Sequence, residues 1–114
     1  MSECIFCKII KGEIPSQIVY ENEEIFCFND INKEAPVHVV IIPKKHIESL
    51  NSLEEKDGRV IGDIFVKAKI IAKILGIDER GYRIVSNCGI DGGQTVNHIH
   101  FHLLGGRSLN WPPG

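Results

Sequence analysis

Residues 98–104 read His98, Ile99, His100, Phe101, His102, Leu103 and Leu104. Histidine and apolar side chains alternate strictly, and a period of two is the period of a β-strand. Such a strand has two unlike faces. His98, His100 and His102 point one way, with imidazoles spaced roughly 7 Å apart, while Ile99, Phe101 and Leu103 point the other. The apolar face has to be covered by a second layer, and one segment is suited to do so. Over residues 52–75, Val60, Ile61, Ile64, Phe65, Ala68, Ile71, Ala72 and Leu75 recur at helical intervals. Ser52 and Glu55 have capping-box spacing, and Gly76 stands where a helix would stop.

Four more stretches, 17–20, 24–28, 37–42 and 82–86, have the apolar and β-branched character of strands, and Pro43 ends the third. A short helix is expected over 4–11, ended by Gly12 and Pro15. Strands before and after one long helix predict an α+β fold. Its expected form is a five-stranded, mainly antiparallel sheet covered on one face, with a short N-terminal helix. The chain has 114 residues, which suits a single domain spanning 1–114.

Imidazole is the side chain best suited to proton transfer and nucleophilic attack near neutral pH. Three of the five histidines share one strand face, which is too concentrated for an ordinary solvated surface. Metal binding and nucleophilic catalysis are the two chemistries open to it. His38, on the 37–42 strand, could support the row from a neighbouring strand. A net charge of −2 argues against a nucleic-acid partner. No apolar run approaches the length of a membrane span. The opening residues Met1, Ser2, Glu3 and Cys4 show no basic n-region or apolar h-region. A cytoplasmic protein with reduced cysteines is therefore expected. Cys27 and Cys88 sit in apolar patterns and are expected in the core. Lys44 and Lys45 are expected at a solvated strand end.

The run 98–104 has the form histidine–apolar–histidine–apolar–histidine–apolar–apolar and resembles the signature of the histidine triad family. The likeness extends through Asp30-Ile31, His38, Ile42-Pro43-Lys44-Lys45-His46-Ile47, Asp91-Gly92-Gly93-Gln94, Leu104-Gly105-Gly106-Arg107 and Trp111-Pro112-Pro113-Gly114. These segments are similar to the Hint branch, the nucleoside phosphoramidate hydrolases. The resemblance implies a histidine triad fold and a nucleotidyl-histidine intermediate on a purine nucleoside monophosphate derivative. It makes His100 the nucleophile, oriented by the His98 carbonyl. His102 would lie near the phosphate and leaving group, and His38 would complete the cluster. Asp30 would bind the ribose hydroxyls, which one carboxylate can accept together. Asn87, Gly93, Gln94 and Thr95 would lie on the phosphate side. Ile5, Phe6, Ile9, Ile14, Phe28 and Ile31 would wall the base. The resemblance also implies a homodimer in which the Trp111 tail reaches toward the partner's site. Dinucleoside polyphosphate hydrolysis, nucleotidyl transfer, or nucleotide binding with little turnover are the other activities such a chain could have.

Cys4-Ile5-Phe6-Cys7 is a Cys-x-x-Cys pair without a thioredoxin-like context. Some histidine triad relatives, including the uridylyltransferase branch, carry zinc on two cysteines, the histidine after the Pro-Lys-Lys segment and the first triad histidine. Resemblance maps these to Cys4, Cys7, His46 and His98. A zinc held by all four would be structural, and the hydrolytic scheme requires no catalytic metal. Asn29, Thr95, Cys88 and Asn110 depart from the usual residues of the branch, and none is the nucleophile.

Overall fold

A computed structural model describes residues 4–114; the expectation drawn from residues 1–3 lies outside it. Helix α1 (Ile5–Ile10) is followed by strands β1 (Ile18–Glu21), β2 (Ile25–Asn29) and β3 (Val37–Pro43). Two single 3-10 turns, Leu50–Ser52 and Glu55–Asp57, lead into helix α2 (Gly58–Ile74), and strands β4 (Tyr82–Val85) and β5 (Phe101–Gly105) complete the chain. The five strands form one antiparallel sheet in the order β1-β2-β3-β5-β4. The α+β architecture is the one expected. Among the described residues no helix is long and apolar enough to cross a membrane.

Helix α2 covers one sheet face. Its buried residues Val60, Ile64, Ala68, Ile71 and Ala72 meet Ile25, Cys27, Val39, Ile41, Ile99, Phe101 and Leu103. The alternation in β5 thus puts its apolar half into the larger core. The opposite face carries a smaller core built by Phe6 and Ile9 of α1 on Phe26, Phe28, Val40 and Ile42. Helix α1 is six residues long and leaves part of this face open. That asymmetry makes a cleft on the histidine side.

Three expectations need correction. Helix α2 starts at Gly58, not at residue 52, because Leu50–Ser52 forms a separate turn. The capping box joins Glu54 to Asp57 rather than Ser52 to Glu55. The Asp57 carboxylate accepts from the Glu54 backbone N–H at 2.9 Å and from Lys45 Nζ at 2.7 Å. Lys44 likewise holds Glu21 at 2.7 Å; both lysines directly follow the end of β3, and Lys45 is exposed, as expected of a solvated strand end. Second, Cys88 is half-buried in the 88–93 loop and outside the core, whereas Cys27 is fully buried as expected. Any side chain at Gly92 would collide with the Cys88 carbonyl. Third, only His102 of the triad lies within the β5 ladder. Pro43 has no N–H to extend the β3 ladder, and the chain at Ile99 instead donates to the Ile47 carbonyl at 2.6 Å.

Gly105 closes β5 against the end of α2. A Cβ there would stand 2.8 Å from Ile77 Cδ1 and 3.2 Å from Ile77 Cβ. Overpacking of this kind costs about 1–3 kcal/mol. Gly105→Ala should lose stability of that order in urea unfolding, and adding Ile77→Val should return part of it. Unchanged unfolding midpoints would refute the close approach.

Candidate functional site

Backbone groups fix how the imidazoles on this face can be used. His100 Nδ1 lies 2.6 Å from the His98 carbonyl oxygen. A carbonyl can only accept, so Nδ1 carries the proton and Nε2 keeps its lone pair. The His100 ring is 4% exposed, and the Phe6 ring edge packs on it with centroids 5.0 Å apart. Ser86 Oγ donates to the His100 carbonyl at 2.8 Å and holds the backbone from behind. A buried imidazole with one nitrogen committed and the other free is arranged to act as a nucleophile.

A second chain of contacts sets His102. The Glu34 backbone N–H donates to His38 Nδ1 at 3.1 Å, so His38 is protonated on Nε2. That nitrogen lies 2.9 Å from His102 Nδ1 and 3.4 Å from Asp30 Oδ2. His102 therefore accepts on Nδ1 and carries its own proton on Nε2. The His100 and His102 ring centroids are 5.1 Å apart, closer than the rise along a flat strand predicts. Burial pushes the His102 pKa down to about 4, the charges of His100 and His38 act the same way, and Asp30 opposes them. Burial also lowers His38, against the pull of Asp30 and Glu34.

His100, His102 and Asp30 border a cleft of about 770 Å³, while His38 lies behind them, outside its lining. Ile5, Phe6, Ile9, Ile14 and Phe28 form apolar walls, Asp30, Ile31 and Thr95 stand at its edges, and His100 and His102 close one end. All of these positions were anticipated. Asp30 serves twice: Oδ1 accepts from the Asn32 N–H at 2.8 Å, and the other oxygen faces His38. Asn87, Gly93, Gln94 and Trp111 lie outside the lining. Asn87 Nδ2 donates to the Gly92 carbonyl at 2.7 Å. Gln94 Nε2 donates to the carbonyls of Glu48 and Val96 while its Oε1 accepts from the Gly89 N–H. Both amides brace the loop beside the histidines, and Gly93 (φ 79°) sits within it.

Trp111 is 78% exposed and lies under the Arg83 guanidinium at 5.8 Å. Arg83 also donates to the Asn110 carbonyl at 2.9 Å. It pairs across from Leu104, as Val85 does from His102, so the tail is tied to the histidine face of the sheet. Arg83 was not anticipated; an arginine in an edge strand carries no distinctive sequence signal. The Pro43 carbonyl and the Glu34 N–H were equally illegible, because they are backbone groups.

At the other end of α1, Cys4, Cys7, His46 and His98 bring their ligand atoms within 4.8 Å of one another. His98 is fully buried and its Nε2 donates to the Pro43 carbonyl at 2.8 Å, which leaves Nδ1 free. That nitrogen is 3.2 Å from His46 Nδ1, 3.4 Å from Cys4 Sγ and 3.6 Å from Cys7 Sγ. Cys7 Sγ is 3.4 Å from His46 Nδ1. A tetrahedral zinc with two sulfur and two nitrogen ligands would space nitrogens about 3.3 Å apart and nitrogen from sulfur about 3.6 Å apart. The donor set and its edges fit such an ion. Burial lowers the His98 pKa to about 4, which keeps the ring neutral, as a ligand must be.

A sheet backed by one helix, with a row of backbone-pinned histidines over a mostly apolar cleft, defines a class of small-molecule site. The family model described as "Scavenger mRNA decapping enzyme C-term binding" matches residues 3–110. A HIT family hydrolase from Legionella pneumophila Philadelphia 1 is 49% identical, with a TM-score of 0.96 over 98% of this chain and 100% of that one. A 14 kDa zinc-binding protein of Zea mays is 50% identical over 99% of this chain and 89% of its own. A histidine triad nucleotide-binding protein from Candida albicans is 38% identical, with a TM-score of 0.82 over 96% and 83% of the two chains. The chain belongs to the histidine triad family.

The depressed pKa of His102 has a consequence for stability. Its native value is about 4 against an ordinary value of 6.5, so between these the unfolded chain binds more protons. Stability should therefore be full above pH about 6.5 and fall as pH drops toward about 4. His102→Gln, which cannot take up the proton, should show a shallower fall in urea midpoint over the same window. An identical slope in the variant would contradict the burial of a neutral His102.

Proposed function

We propose that this protein hydrolyses nucleoside 5′-phosphoramidates, or similarly activated purine nucleoside monophosphates, through a nucleotide bound covalently to His100. The observation that carries this is the free Nε2 of His100, fixed by the 2.6 Å contact of Nδ1 with the His98 carbonyl, at the end of a cleft that also holds Asp30. The relative from Legionella is named a hydrolase and that from Candida a nucleotide-binding protein, which supports the same class of activity.

In this scheme the apolar walls take the flat base and the Asp30 carboxylate takes the ribose hydroxyls. His100 Nε2 attacks phosphorus. The phosphorus–nitrogen bond breaks, and the leaving nitrogen departs as an amine with a proton from solvent. The Nε2–H of His102 donates to a phosphoryl oxygen as charge builds there. Water then attacks the phosphorus–histidine bond, releasing the nucleoside monophosphate and neutral His100. No step is routed through a metal. Cys4, Cys7, His46 and His98 would hold a structural zinc, in keeping with their geometry and with the name of the maize relative. Thiolates that bind zinc must stay reduced, which suits the cytoplasm.

We also propose a homodimer. Strand β4 is an edge strand, and Val66, Ile70 and Ile74 form an exposed apolar line on α2. An unpaired edge strand and an exposed apolar line each favour pairing with a second copy. Sedimentation should give twice the monomer mass, and Ile70→Glu should shift it to monomer. A wild-type protein that sediments as a monomer at micromolar concentration would refute the assignment.

Incubation with an adenosine 5′-phosphoramidate, followed by a rapid quench in denaturant at alkaline pH, where a phosphorus–histidine bond survives, should reveal a protein heavier by one adenylyl group. His100→Ala should lose the adduct and on the order of a thousandfold or more in turnover. Asp30→Ala should keep the adduct but bind ribonucleotides more weakly, with much less loss for 2′,3′-dideoxynucleotides. Activity of His100→Ala within tenfold of the parent would overturn the proposal.

A further inference from the structure

We propose that the metal cluster is a tether for one wall of the nucleotide cleft, so that metal occupancy sets nucleotide affinity while leaving the nucleophile in place. This rests on the reading of the cleft and the zinc cluster given above. Helix α1 is six residues long. Isolated helices shorter than about 12–15 residues are marginal in water, so α1 needs an external anchor. Its thiols supply two attachment points. Cys4 is the N-cap, its sulfur accepting from the Cys7 N–H at 3.3 Å, and both sulfurs meet His46 or His98 at 3.4 Å.

Between the two thiols sits Phe6. Its ring packs edge-on against Phe28 at 5.5 Å, His98 at 5.9 Å and His100 at 5.0 Å. Ile5, Phe6 and Ile9 all line the cleft. The same short helix therefore carries half of the metal ligands and much of the apolar wall. Without the ion, α1 would be held mainly by the packing of Phe6 and Ile9 on the smaller core.

The nucleophile is anchored differently. His98 keeps its hydrogen bond to the Pro43 carbonyl at 2.8 Å whether or not Nδ1 binds a metal. The Ile99 N–H keeps the Ile47 carbonyl, and the His100 carbonyl keeps Ser86 Oγ. The His98 carbonyl thus stays where it orients His100. Loss of the ion should loosen α1 and spare the catalytic backbone, separating binding from chemistry.

The test compares zinc-loaded protein with the same protein after chelation. Calorimetry would give AMP affinity, amide exchange would report on residues 4–11 and on β5, and turnover of an adenosine phosphoramidate would give kcat and KM. Removal of the ion should weaken AMP by about tenfold or more, consistent with losing part of an apolar wall. Exchange should accelerate over residues 4–11 with β5 still protected, and KM should rise with kcat within about twofold. Phe6→Ala in loaded protein should weaken AMP similarly and make the remaining affinity insensitive to chelation. Cys7→Ser in zinc-containing buffer should behave like the chelated parent.

Equal AMP affinity with and without zinc would overturn the proposal. So would a fall in kcat at constant KM, which would place the metal's influence on His98 and His100 instead. Loss of β5 protection on chelation would also overturn it, since the ion would then hold the whole fold. If neither form bound AMP, the nucleotide reading of the cleft would fail and the affinity claim with it. Exchange over residues 4–11 would still show separately whether the ion holds α1.

Discussion

The hydrogen bond from His100 Nδ1 to the His98 carbonyl, 2.6 Å long, gives the histidine face its chemical direction. An imidazole in water exchanges its proton between two nitrogens and has no fixed nucleophilic end. A carbonyl acceptor two residues earlier removes that freedom for His100. The acceptor must itself be rigid, and it is. The His98 ring hangs from the Pro43 carbonyl, and the next N–H binds Ile47. The same device sets His102 through the Glu34 N–H and His38. Four imidazoles are thereby given defined tautomers by three carbonyl or amide groups and one another.

The sheet makes this economical in space. One face is closed by α2, which leaves the other face free to carry polar groups. Five strands in antiparallel order bring His38 of β3 next to His102 of β5 and put Arg83 of β4 on the same side. Across this face the apolar walls lie over β2 and β3, the histidines over β5 and the tail over β4. The apolar cleft and the tail thus flank the histidines on opposite sides of the same face.

Much of the site was legible in the sequence because it depends on spacing along a strand. The alternation from His98 to Leu104 shows which side chains share a face, and the apolar stripe of residues 60–75 shows what covers the other. Asp30, Phe28 and the α1 residues could be assigned only by resemblance, since nothing local marks them as cleft-lining. Asn87 and Gln94 matched phosphate-side positions by resemblance, yet their amides are occupied in bracing the loop. Composition cannot tell a side chain that touches a ligand from one that shapes the loop touching it. The helix start was misplaced for a similar reason. Ser52 and Glu55 have the spacing of a capping box, but Glu54 and Asp57 have the better geometry once Lys45 pairs with Asp57.

The sequence by itself determined the two-faced strand, the helix that buries one side of it, and the residue types able to attack phosphorus or bind zinc. These follow from periodicity and side-chain chemistry, which are local. Only the tertiary structure decided which nitrogen of each histidine is free, that His98 and His100 leave the ladder after Pro43, and that α1 joins the metal cluster to the cleft. Those outcomes depend on backbone groups of Glu34, Pro43 and Ile47 reaching residues distant in the chain. Every residue carries much the same backbone amide and carbonyl, so their pairing is invisible until the chain has folded.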